Sequence, residues 1–172
     1  SGLNPADIKY LILTHCHIDH TGGANYLRET TGAKIIAHTN DAEPIIRGET
    51  VLTAANWYNI QPIPTNIDIR IEGDSGQIEN IPRIKWYHIP GHTPGSIALL
   101  YEKDNIKILF GQDIHGPLSP LFKSDREDYL KSLEMLIGLN ADILCEGHYG
   151  IIRGKNNVKD FIARFINTGG QE

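Results

Sequence analysis

Apolar residues come in short runs separated by polar, glycine-containing stretches. Lys9-Tyr10-Leu11-Ile12-Leu13-Thr14 is a continuous apolar run of strand length, the pattern of a strand buried on both faces. Lys34 to Ala37 is a second such run, and Ile67 to Ile71 alternates. Further strands are predicted at Arg83–His88, Ser96–Tyr101, Ile106–Phe110 and Ile143–Cys145, with a hairpin around Glu102-Lys103-Asp104-Asn105. Asn4 followed by Pro5 predicts a short helical turn. A helix is expected from about Ala24 to Thr31, closed by Gly32, and one or two helices from Thr39 to Tyr58, broken near Gly48. Residues 59–66 read as a loop marked by Pro62 and Pro64. Asp125 caps a predicted helix to about Leu139, because Leu130, Leu133, Leu136 and Ile137 share one face. Val158–Ile166 is the last helix. Helices interspersed with strands throughout mark a layered α/β protein.

Composition narrows the class. At 172 residues, 40% apolar and 22% charged, the chain is one ordinary globular domain's worth of polypeptide. The net charge of −5, with Lys and Arg scattered, argues against nucleic acid as a partner. Arg153, Lys155, Lys159 and Arg164 read as the solvated face of the last helix. No apolar run is long enough for a membrane span and no leader-like segment opens the chain. Cys16 and Cys145 form no C-x-x-C and are expected as free thiols, which points to the cytoplasm. The single methionine is Met135, so residue 1 is not a translation start.

The chemistry concentrates in His15-Cys16-His17-Ile18-Asp19-His20, directly after a predicted strand. In extended chain, side chains two apart point the same way, so His15 and His17 can converge on one ion, while Asp19 and His20 face a neighbouring position. Imidazole and carboxylate donors at this density suit zinc or another borderline first-row metal. Three later loops, each after a predicted strand and each holding a glycine, add His92 (in Gly91-His92-Thr93-Pro94-Gly95), Asp113 and His148. That makes seven donors, enough for two ions sharing one carboxylate.

The order H-x-H-x-D-H, GHTPG, Asp after a strand and a glycine, then GH resembles the metallo-β-lactamase superfamily, over residues from about 5 to 168. The resemblance implies an αββα sandwich as a single domain over residues 1–172. It also implies that N-terminal strands of the usual fold lie outside this sequence, and that an exposed sheet edge would pair with a second copy. It implies that His15, His17 and His92 hold one metal and that Asp19, His20 and His148 hold the other, with Asp113 bridging. Two Zn²⁺ are expected, with Mn²⁺ or Fe²⁺ as substitutes. His17 stands where flavodiiron relatives carry glutamate, which points to hydrolysis. Asp113 stands where several true β-lactamases carry Cys or Ser, and Ser96 where glyoxalase II has histidine. The pattern is most similar to the smaller glyoxalase-II-like hydrolases.

The expected activity is therefore hydrolysis of a small thioester, ester or lactone by a metal-bridging hydroxide, oriented by Asp19. A single-iron enzyme resembling the persulfide dioxygenases, a phosphodiesterase, and a binding domain with a vestigial site are the alternatives. Of the remaining candidates, Cys16 reads as a packed thiol, Cys145 as core, His88 as a structural histidine and His38 as a loop or supporting residue. His115 and Tyr149 are candidates for lining the pocket, His115 also for protonating the leaving group. Trp57, Tyr58 and the Pro62–Pro64 loop lie in the stretch that the resemblance implies caps the pocket, and read as lid packing, with contact to an apolar substrate group as the alternative.

Overall fold

The computed structural model describes Gly2 and residues 4–170, and its backbone divides into two units, one ending at Glu72 and one beginning at Gly73. In the first unit, Asn4 caps a 3-10 turn over Pro5–Asp7 by accepting the Ala6 N–H. Strand β1 (Tyr10–Ile12) is shorter than the apolar run that encodes it, because the chain bends at Thr14 to present the histidines. β2 (Lys34–His38) pairs parallel with β1 and with β3 (Ile69–Ile71), giving a sheet of order β1-β2-β3. Parallel neighbours need crossovers. Here they are α1 (Ile18–Thr21) with α2 (Ala24–Thr31), then α3 (Thr39–Arg47) with the loop that follows it. Gly32 and Gly48 end α2 and α3 in left-handed conformation. Leu13, Cys16, Ile35, Ala37, Ala42, Ile45 and Ile67 form this unit's core.

The second unit is a six-stranded sheet of order β4 (Ser75–Ile78), β5 (Ile81–His88), β6 (Ile97–Lys103), β7 (Ile106–Gln112), β8 (Ile143–Glu146), β9 (Gly150–Arg153). All pairs are antiparallel except β7 with β8, which are linked by α4 (Arg126–Gly138). The 102–105 hairpin forms as expected. α5 (Lys155–Thr168) follows β9, and Leu133, Leu136, Ile162 and Phe165 of the two helices pack with Leu109 and Leu144 of the sheet. Burying Phe165 in full contributes on the order of 2–3 kcal/mol.

Several expectations need correcting. β4 and β9 were not foreseen: Ser75-Gly76-Gln77-Ile78 has no apolar alternation, and Gly150 to Arg153 is a short exposed edge strand. Arg153 lies in β9 and not on the last helix, whereas Lys155, Lys159 and Arg164 are solvent-exposed on α5. Cys145 is only half-buried. Alternation along β8 places Leu144 and Glu146 in the buried interior and Cys145 on the other face. Among the described residues, no helix is long and apolar enough to cross a membrane.

Candidate functional site

In the first unit the donors come from one local run. The predicted polar loop is partly helical, with His17, in extended conformation, standing just ahead of α1 as its N-cap residue. The turn is held from several sides. Cys16 donates its backbone N–H to the buried carboxylate of Asp41 at 2.9 Å and its thiol to Leu52 O at 3.2 Å. Ile18 N–H donates to Thr53 O at 2.8 Å, and Thr21 Oγ1 donates to His17 O at 3.0 Å. The His15 ring centroid consequently lies 4.7 Å from that of His17 and 4.3 Å from that of His20. Asp19 Oδ2 stands 3.7 Å from His20 Nε2. Cys16 points into the core as expected. Burial, reinforced by the negative charge of Asp41, pushes its thiol well above the usual range, so it stays protonated and unreactive.

In the second unit the donors come from the ends of three strands, and backbone geometry aims each one. Gly91 has φ +131, and a Cβ there would meet the backbone of Tyr129 at 2.3 Å. Only glycine lets α4 approach this loop so closely. Asp125 N–H, Ser132 Oγ and Ser124 Oγ then bind the carbonyls of Gly91, Pro90 and His92. His92 Nδ1 lies 3.0 Å from Pro117 O. A carbonyl only accepts, so Nδ1 carries the proton, and Nε2 is the ring nitrogen left to serve as a metal ligand. At the end of β7 the register with β8 shifts between Phe110 and Gln112, and Gln112 adopts φ +50. This bulge and left-handed residue turn the chain so that Asp113 leaves the strand direction and is buried.

Asp113 organises the set. Its Oδ2 lies 3.5 Å from His92 Nε2 and its Oδ1 lies 3.4 Å from His148 Nε2. These separations exceed those of charge-assisted hydrogen bonds, ~2.8 Å. They match two donors about 2.05 Å from one ion at the tetrahedral angle, which stand ~3.4 Å apart. A cation held between His92 Nε2 and this carboxylate oxygen would suit both donors. The donor set therefore fits a metal, and one carboxylate offers each oxygen to a different imidazole.

Glu146, which the sequence reading passed over, supports this set. Its Oε2 accepts the backbone N–H of His148 at 2.7 Å and of Tyr149 at 2.8 Å, and its Oε1 accepts His115 Nδ1 at 2.8 Å. Burial by itself would raise this carboxyl. The hydrogen bonds from His115, Tyr149 and His148, with the charge of His115, outweigh it and hold Glu146 below the ordinary glutamate range. The His115 ring stands 4.9 Å from that of His148 and 5.4 Å from that of Tyr149. His88 is structural as expected, bonding Pro94 O through Nε2 at 2.8 Å. His38 caps α3 by accepting the Asn40 N–H. Trp57 and Tyr58 are exposed.

Each unit thus carries His and Asp donors of the kind that hold metal ions. The family model described as the metallo-beta-lactamase superfamily matches residues 1–148. The chain belongs to the metallo-beta-lactamase superfamily. Its mixed α/β fold is that of the superfamily, and it is an enzyme of the metal-dependent hydrolase kind. It is similar to the probable metallo-hydrolase YflN of Bacillus subtilis (strain 168), at 24% identity over 178 residues, covering 87% of this chain and 67% of that one. It is also similar to hydroxyacylglutathione hydrolase GloC of Haemophilus influenzae, at 27% identity over 151 residues, covering 84% and 69%. The native FEZ-1 metallo-beta-lactamase of Legionella gormanii superposes on 98% of this chain and 75% of its own, with a TM-score of 0.76 at 18% identity. That last likeness concerns the fold alone.

Proposed function

We propose that the chain is a binuclear metal-dependent hydrolase of a small thioester, ester or lactone. His15, His17, His92 and Asp113 would hold one ion, and Asp19, His20, Asp113 and His148 the other. The observation that carries the reading is Asp113, whose two oxygens face two different imidazoles at 3.5 and 3.4 Å, an arrangement suited to a bridging carboxylate. Imidazole and carboxylate donors favour zinc, with manganese or iron according to supply.

Two such ions, when bound, supply Lewis acidity and a water acidified towards neutral pH. This chain's own residues do the rest. His92, held by Pro117 O, keeps its Nε2 available as a ligand. Asp19, at the exposed rim of its cluster, orients the attacking water. Glu146 fixes the backbone of the His148 loop and aims His115. The thioester reading draws support from similarity to a hydroxyacylglutathione hydrolase. A single-iron dioxygenase would leave the second set without work, and the approach of His148 to Asp113 favours two ions. Two free thiols support a cytosolic home, where such groups stay reduced.

The test is elemental analysis of the metal-loaded protein, followed by a panel of thioesters, esters and lactones. Two ions per chain with turnover of at least one of these classes is the expected result. One iron per chain with oxygen consumption contradicts it.

A further inference from the structure

Within the first unit, Trp57, Tyr58, Ile60 and Ile63 are exposed by 54, 52, 49 and 63%. Single exposed apolar side chains are ordinary, but a group of large ones within seven positions marks a surface that meets something apolar. Tyr58, Ile60, Pro62 and Ile63 join Ile18 and Asp19 in lining a cavity of about 340 Å³. Among the described residues, Asp19 is the only charged group in its lining. The volume is that of about eleven waters at ~30 Å³ each, and a chain of roughly eight carbons, each taking about the same space, fills some 70% of it.

An apolar cavity whose single charge is a proposed metal ligand dictates how a substrate enters it: reacting group at Asp19, hydrocarbon beyond. The leaving side of the scissile bond gains negative charge on sulfur or oxygen, and an apolar lining disfavours that charge. The acyl side of the bond suits the cavity better. Resting on the hydrolase reading above, we infer that this cavity is an acyl-chain subsite. The substrate is then a thioester or ester with an unbranched aliphatic acyl group of roughly eight carbons. Water adds to the carbonyl carbon as the C–S or C–O bond breaks, its hydroxyl remaining on the acid product and its proton passing to the leaving sulfur or oxygen.

The experiment uses the metal-loaded chain and acyl thioesters of one thiol, with acyl groups from two to about twelve carbons. The kcat/KM should rise about fourfold per added methylene and level off near eight carbons. Ile60→Asn and Ile63→Asn alter exposed side chains that the fold does not need, and each should reduce turnover of the eight-carbon substrate about tenfold relative to the two-carbon one. Calorimetric binding of the matching straight-chain N-methyl alkanamides should show the same dependence on length in the parent chain and lose it in both variants. A flat series in an enzyme that turns over thioesters overturns the subsite and leaves the hydrolase intact. If neither these thioesters nor the esters and lactones of the panel above are cleaved with two ions bound, the hydrolase reading fails, and the amide series still decides the cavity: length-dependent binding upholds it, length-independent binding overturns it.

Discussion

The two units place their candidate metal donors by opposite means. The first carries His15, His17, Asp19 and His20 in one stretch of six residues, so a bend and a four-residue helix suffice to gather three rings. The second gathers His92, Asp113 and His148 from the ends of β5, β7 and β8, elements far apart in the chain. A local cluster tolerates approximate surroundings, whereas a dispersed one depends on backbone devices at every donor: Gly91, the bulge before Asp113, and Glu146 beneath His148. The second unit should therefore be the more fragile partner in metal binding.

The largest effect expected is at Asp113. Asp113→Ala removes a ligand from both proposed ions and should lower kcat/KM on the order of a thousandfold or more, with metal content falling towards zero. Asp19→Ala should remove one ion only. Equal metal loss in the two variants would break the contrast. Next comes backbone geometry. Gly91→Ala adds a Cβ 2.3 Å from the Tyr129 backbone at φ +131, and should destabilise folding by about 3 kcal/mol or more. Gly32→Ala in the first unit, with open space around it at φ +71, should cost only about 1 kcal/mol. Denaturant unfolding of both variants measures the difference.

Glu146→Ala leaves His115 Nδ1 and three backbone N–H groups without their acceptor, and should weaken binding of one ion by roughly 10–100-fold. Asp41→Ala removes the acceptor of the Cys16 N–H in the first unit, where the donors are adjacent in sequence, and should weaken binding by less than tenfold. Competition with a fluorescent chelator reads both. The smallest effect should be that of His88→Ala, which breaks a bond to Pro94 O: about 1 kcal/mol of stability lost, with metal content unchanged.

The same contrast explains what could be read from the sequence. The six-residue run shows its chemistry directly, because adjacent positions need no tertiary information to be recognised as a set. His92, Asp113 and His148 became visible only through the glycine-containing loops after apolar runs. Their supports stayed hidden. Glu146 precedes a Gly-His pair and reads as one more surface acid, yet it is buried and takes hydrogen bonds from three residues. Asp41 reads as an ordinary acid in a helix's first turn, and only the folded chain brings it to Cys16. Nothing about glutamine announces the left-handed conformation of Gln112, which the pairing of β7 with β8 imposes. β4 escaped notice because Gly76 packs against the Trp86 ring, which leaves no side chain to alternate. Tertiary context overrode local pattern at each of these positions.

The proposed chemistry requires Asp113 as a carboxylate shared between two ions. Anomalous diffraction at the zinc edge from metal-loaded crystals tests it most directly. Two peaks, one bonded to each oxygen of Asp113, with His92 on the first ion and His148 on the second, are the predicted result. A single peak, or two peaks of which only one touches Asp113, would contradict it.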